Sequence, residues 1–419
     1  MFKNKIVFNI TVYLLVFGLM VSDPFLQKNF PGITQGLLVF PFIGASFSDY
    51  RFYKNNFFIQ AAAVYCLIIL MLFLFSGANA LNLFSNTFGT ALLGLSVYNA
   101  AYIERVFAKS ALLVVICCSF IGISFYLGFW EINDTTKRFT FIDHNQNTLS
   151  FLMCIGVSFI FFFYHSSKNR KIKTVYLLLI FMLIIPILST ISRTGIVLLI
   201  ITLVINIYFV KQFNKKITIV LASVIIGLTS TVVFSVLDIQ LPYFQQFSDR
   251  TAAAEQDSRI KLWSIGGKLA SDNLFTGVGF NNFKSDEWRK SVGLIATGFD
   301  ESTGKLEDYS ISIHNSFLDL ILIGGIFLVM PYCFIILNLC YNGYKLLRIP
   351  QKEPNFLGAF ILSTTIGIIL FSFTGQAATF KFTWYLFAVN YYLIYQYAKK
   401  YNLKAVEKSN KNLLMYNRG

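Results

Sequence analysis

An all-α, polytopic membrane fold is what this sequence predicts, and three observations predict it. Hydrophobic residues make up 56% and charged residues 13% of the 419, with a mean hydropathy of +0.62, far from the roughly 25% charged composition of soluble domains. Apolar runs of near-spanning length recur along the chain, and the two-residue alternation that a β-barrel needs is absent. Basic residues fall on alternate loops, as positive-inside topology requires.

The runs lie near 6–22, 31–48, 57–76, 88–103, 111–130, 147–164, 175–191, 196–210, 217–237, 315–338, 357–375 and 382–398. Each approaches the roughly 17 to 25 residues that cross a bilayer, giving about twelve transmembrane helices. The first carries Lys3 and Lys5 ahead of an apolar run, but Gly18 to Asp23 offers no small-x-small cleavage site, so it reads as a retained span. Asn82, Ser85, Asn86 and Thr87 fit a short hairpin loop before the fourth. One large, partly helical polar loop separates spans nine and ten. The expected organisation is therefore spans one to nine over 1–237, an extramembrane loop with short helices over 238–313, spans ten to twelve over 314–398 and a basic tail over 399–419.

Charge placement checks that threading. From a cytoplasmic N-terminus, Lys3, Lys5, Arg51, Lys54, Arg105, Lys109, Lys168, Arg170, Lys171, Lys173, Lys211, Lys215, Lys216, Lys345, Arg348, Lys352 and the tail share one side. That side holds most of the 35 basic residues and, of the 20 acids, only Asp49, Glu104, Glu353 and Glu407. Both termini are thus expected in the cytoplasm and the long loop across the membrane. The net charge of +15 is topological; no basic stripe interleaved with aromatics points to nucleic acid. Cys66, Cys117, Cys118, Cys154, Cys333 and Cys340 fall in or at the ends of apolar runs, as small packing residues rather than a disulfide framework or metal site.

Chemistry is then sought among polar groups on the side of the long loop. His314, Asn315 and Ser316 stand where that loop meets LDLILIGGIFLVMPYCFIIL, placing an imidazole, an amide and a hydroxyl at a membrane surface, where such groups are tolerated mainly when they face a protein interior or polar cavity. Arg193, in Ser192-Arg193-Thr194-Gly195 between two closely spaced apolar runs, keeps its charge and needs an anionic partner; a snorkelling interfacial arginine is the alternative. Asp257 to Trp263 begins a helix-like stretch to about Ala270, with Arg259 on it, either functional or paired with Asp257 or Glu255. The turn Thr276-Gly277-Val278-Gly279 permits tight backbone geometry but is too weak a signal for a nucleotide loop. The histidines His144, His165 and His314 show no paired ligand spacing, so no metal is expected.

Taken in order, Ser192-Arg193-Thr194-Gly195, Ser258-Arg259-x-x-x-Trp263, Gly277-Val278-Gly279-x-x-x-Phe283 and His314-Asn315-Ser316-Phe317-Leu318-Asp319 followed by Gly324-Gly325 resemble the O-antigen ligase and O-antigen polymerase superfamily of bacterial envelope polysaccharide glycosyltransferases. Arg138 ahead of His144-Asn145-Gln146-Asn147 is similar too. The resemblance covers roughly residues 138 to 330. The family often has an acidic residue just before the glycine pair, where this chain has Ile323.

The resemblance implies transfer of a glycan from an undecaprenyl-diphosphate carrier to an acceptor hydroxyl, on the periplasmic face of the bacterial inner membrane, without metal, nucleotide sugar or other cofactor. In that reading His314 is the catalytic base and Arg193 and Arg259 bind the diphosphate. Arg138, His144, Asn147 and Asn315 are secondary substrate contacts, and the partners are the carrier-linked glycan, a lipid or glycan acceptor and the bilayer. A lipid A core acceptor would make the protein a ligase and a carrier-linked glycan a polymerase; the His-Asn-Ser element inclines towards the ligase. Asp319, five residues from His314, faces another side of a helix and forms no dyad with it. A transporter or flippase is the alternative of another class, but dissimilar halves and the clustering of polar groups on one face suit surface chemistry better than alternating access.

Overall fold

The computed structural model describes residues 57–76, 81–98, 103–128, 131–133, 138–140, 145–210, 218–219, 221–227, 255–300, 305–310, 313–349 and 351–401. The expected spans at 6–22 and 31–48, most of that at 217–237, the end of the basic tail, and His144 lie outside these residues.

Three helices come first: α1 (Phe57–Ser76), α2 (Leu81–Tyr98) and α3 (Ile103–Tyr126). A small hairpin, β1 (Glu131–Asn133) with β2 (Arg138–Thr140), leads to α4 (Gln146–Ser166), α5 (Arg170–Ser189) and α6 (Arg193–Val204), which ends in a π-turn over 205–209. The polar segment supplies α7 (Glu255–Asp272), α8 (Gly279–Lys284), α9 (Asp286–Ser291) and the hairpin β3 (Ile295–Asp300) with β4 (Lys305–Ser310). Then come α10 (Ser316–Leu347), α11 (Lys352–Thr374) and α12 (Lys381–Tyr401). Among the described residues six helices are long and apolar enough to cross a membrane: α1, α3 (counted from Phe107), α4, α5, α10 and α11. Neither hairpin is among the elements expected from the sequence, where the long loop reads as partly helical.

Burial explains why such apolar helices need no amphipathic pattern. α4 is enclosed along most of its length, whereas Leu74, Phe75, Phe120, Leu178 and Leu337 on other helices lie exposed, as lipid-facing side chains do in the absence of water. Trp384 anchors the centre: its indole N–H donates to the Ala378 carbonyl at 2.8 Å, and its ring meets Tyr65 of α1 and Tyr332 of α10 at 5.0 and 6.4 Å between centroids. Interior hydroxyls such as Ser158, Thr365 and Ser372 donate to carbonyls one turn back, so these polar groups are satisfied inside apolar surroundings.

Helix α10 is not one straight span. Gly324 (φ −140°, ψ 17°) and Gly325 (φ 68°, ψ −165°) break it, and Phe317 lies 6.0 Å from Tyr332 between ring centroids. Fifteen residues of continuous helix would separate those Cα atoms by about 22 Å. Residues 316–323 therefore fold back beside the start of the 326–347 segment. The turn after α7 repairs the missing backbone bonds: Val278 N–H donates to Leu322 O at 2.6 Å and Ile326 N–H donates to Leu274 O at 2.7 Å. In an unbroken helix Ile326 N–H would pair with Leu322 O, so the docked turn satisfies both groups that the break exposes.

Candidate functional site

Two polar clusters form at one end of the bundle, and local backbone chemistry builds each. In the first, Asn145 caps α4 by accepting from Asn147 N–H at 2.9 Å. Ser192 caps α6, accepting from Gly195 N–H at 3.2 Å and donating its own hydroxyl to Asn147 Oδ1 at 2.9 Å. Gly195 is required by contact: a Cβ there would stand 2.5 Å from Ser150 Cβ. Arg193 opens α6 as its first residue, exposed, which puts a guanidinium beside the positive end of a helix dipole and favours an anion at that point. Strand β2, beginning at Arg138, packs against α4 and α5 beside this cluster.

In the second, Asn315 caps α10, accepting from the N–H groups of Phe317 and Leu318 at 3.0 and 3.2 Å. Ser316 is buried; its hydroxyl donates to Gly375 O at 3.0 Å and accepts from Ala378 N–H at 3.2 Å. These bonds pin the folded-back segment to the turn between α11 and α12. His314 is half-buried and sits in left-handed backbone at φ 52°. It therefore precedes the helix rather than belonging to it, so helical spacing does not decide where Asp319 lies relative to it.

Helix α7 covers this cluster. Trp263 donates its indole N–H to Ile313 O at 3.2 Å, so the residue before His314 is held by the helix that carries Arg259 one turn before Trp263. Trp263, Ile265 and Leu269 of α7 pack with Ile313, Leu318, Ile321 and Leu322 in a satellite core. The two clusters flank the end of α11: Phe151, one turn after Asn147, stacks on Phe371 at 4.5 Å, and Phe317 meets Phe373 at 5.0 Å.

Two cations at this end were not singled out from the sequence. Arg289 is 9% exposed, with its guanidinium 5.8 Å from the Phe283 ring centroid. Burial pushes its pKa below the usual arginine value, and the charges of Asp319 and Asp286 act in the opposite direction, so its charge is retained. Nothing in Ser285-Asp286-Glu287-Trp288-Arg289 distinguishes it from an ordinary solvated helix. Lys381 is 3% exposed at the start of α12; a lone lysine between Phe380 and Phe382, on the side that positive-inside topology leaves poor in lysine, is the signal that could have found it. Among the described residues no group of three or more His, Cys, Asp or Glu is placed to hold a metal ion.

Ile191 at φ 50° and His314 are the described non-glycine residues in left-handed backbone. They precede Arg193 and Asn315 by two residues and one residue respectively. Strain of this kind concentrates where surrounding structure fixes a functional geometry.

These elements make up a polytopic helical membrane protein with two polar clusters at one end, under a docked polar segment. Residues 177–333 match the family model described as O-antigen ligase, which supports the O-antigen ligase and polymerase superfamily for this chain. A search of curated proteins finds no match. The matched segment begins within α5 and ends within α10, and contains Arg193, Arg259 and His314.

Proposed function

We propose that the protein transfers a glycan from an undecaprenyl-diphosphate carrier to an acceptor hydroxyl at the His314 end of the bundle, facing the periplasm. The observation that carries this reading is the gathering at one end of Asn147, Ser192 and Arg193 on one side of α11 and His314, Asn315 and Ser316 on the other, below the helix that bears Arg259.

In this mechanism the imidazole of His314 accepts the proton of the acceptor hydroxyl. The hydroxyl oxygen attacks the anomeric carbon, and the carrier diphosphate departs with the electron pair of the breaking glycosidic bond. Histidine titrates near neutrality and suits the first step. Charge growing on the diphosphate is met by Arg193 and Arg259, whose planar guanidinium groups give bidentate, charge-assisted hydrogen bonds. A single displacement inverts the anomeric centre. Arg138, His144, Asn147 and Asn315 are assigned to secondary substrate contacts, and the step uses no metal or cofactor.

The His-Asn-Ser element favours a ligase that accepts onto a lipid A core or similar acceptor, with polymerisation of carrier-linked repeat units as the second reading. Purified protein in lipid, given a carrier-linked glycan donor with either core lipid or further donor, separates them by product mass. Modified core lipid supports the ligase, and lengthening carrier-linked chains support the polymerase. Absence of covalent product across several donors overturns the transferase reading and leaves precursor transport.

A further inference from the structure

At the end of the bundle opposite His314, a cavity of about 770 Å³ opens between the last turn of α4, the first turns of α11 and the last turns of α12. Its walls are apolar and aromatic: Phe162 and Phe356 meet at 5.7 Å between ring centroids, with Leu393 beside them. His165, only 6% exposed, also lines it and stacks with Phe356 at 6.1 Å. Its rim is charged, with Lys352 at the first position of α11 and Lys400 near the end of α12. Lys400 bonds Glu353 at 2.7 Å, both side chains being about half exposed, and exposed pairs of this kind are weak and readily exchanged.

Three features together select an occupant. Apolar walls beneath a rim of two lysines and one glutamate, net positive, fit an amphiphile better than a free anion. The rim lies at helix ends, the depth at which lipid phosphates sit, and Gln351 supplies no side-chain cap to the first turn of α11, so an acceptor there is favoured by both the lysines and the helix dipole. The same end carries Lys168, Arg170, Lys171, Lys345 and Arg348, and basic pockets between membrane helices recognise anionic headgroups.

We propose that this cavity binds an anionic phospholipid, its phosphate between Lys352 and Lys400 and an acyl chain against Phe162, Phe356 and Leu393. The site is separate from the transfer chemistry, and its test reads lipid retention rather than turnover. Full-length protein purified in detergent is incubated with equal amounts of phosphatidylglycerol and phosphatidylcholine, and retained lipid is measured by native mass spectrometry. Wild type is expected to retain phosphatidylglycerol preferentially, each rim lysine contributing roughly fivefold. The double substitution Lys352→Gln with Lys400→Gln is expected to abolish the preference, and Lys352→Arg with Lys400→Arg to keep it. Lys168→Gln with Lys171→Gln, which removes equal charge at the same end but outside the cavity, is expected to leave it unchanged.

Equal retention of the two lipids by wild type overturns the proposal, as does a preference that survives the double glutamine substitution. An equal loss in the Lys168 and Lys171 control assigns the effect to the face as a whole and overturns the cavity. Competition by glycerol phosphate as effective as that by the intact lipid overturns the part given to the acyl chain.

Discussion

His314 holds a backbone conformation that glycine adopts freely and other residues adopt at a cost of about 1–3 kcal/mol. That makes a glycine substitution more informative than alanine. His314→Gly relieves that strain and should leave a folded, membrane-inserted protein, while transfer falls by roughly 10²-fold or more, the scale of general acid–base catalysis. A well-folded variant with near-normal transfer would remove His314 from the role of base. Arg193 is tested differently. Lysine keeps the charge but loses the planar fork, so Arg193→Lys should lower transfer with little change in stability, since the position is an exposed first residue of α6. Full activity after that exchange would argue against bidentate diphosphate recognition. The motifs containing these residues were legible because arginine, histidine and asparagine are rare beside long apolar runs. Lys381 shares that property but stands outside any motif, and Arg289 lies among other charged residues.

At the scale of elements, the folded-back 316–323 segment and the turn after α7 depend on each other. Gly325 sits at φ 68°, and a Cβ there would fall 2.0 Å from Phe275 O. Gly325→Ala is therefore expected to expel the turn, leave Leu322 O and Ile326 N–H without their bonds, and cost about 2 kcal/mol or more. Limited proteolysis should show faster cleavage within 255–310, and transfer should fall together with the protection. Unchanged protection would mean that the turn does not hold this segment. The six described helices of spanning length were readable from apolar runs, since burial in protein or lipid decides their position, whereas α2 starts seven residues before the run at 88–103 and takes up Asn82, Ser85, Asn86 and Thr87, which were expected in a loop. The break in α10 was not readable, because its cause is a partner about fifty residues earlier: Gly324-Gly325 within an apolar run reads as a tolerated pair until Gly277 and Val278 are seen docked on it. The hairpins escaped for a related reason, as their strands pair with each other rather than following an amphipathic alternation.

Over the whole molecule, antiparallel packing sorts the helix ends into two sets. Ser316, Gly375 and Ala378 meet at one end, while Lys400 and Glu353 meet at the other, where the described lysines and arginines of the α4–α5 and α10–α11 connections also lie. In the proposed reading, the charge asymmetry of the sequence puts the His314 end on the non-cytoplasmic side. Ser271→Cys on α7 and Lys171→Cys on α5, both at exposed positions, test that orientation. An impermeant thiol reagent should label the first in intact cells freed of their outer membrane and the second only after lysis. The native cysteines are all buried or half-buried and provide a low background. The reverse pattern would place the candidate site in the cytoplasm and remove the proposed donor from its reach.

Covalent transfer at the His314 end is read out by single-turnover reaction of the reconstituted protein. Donor with a labelled glycan on the carrier diphosphate is mixed with wild type and with His314→Gly, and label on the acceptor is followed together with free carrier diphosphate. Both are expected to appear in equal amounts with wild type and to be suppressed about 10²-fold in the variant. Free diphosphate and labelled acceptor formed at the same rate by wild type and variant would contradict the role of His314 as base.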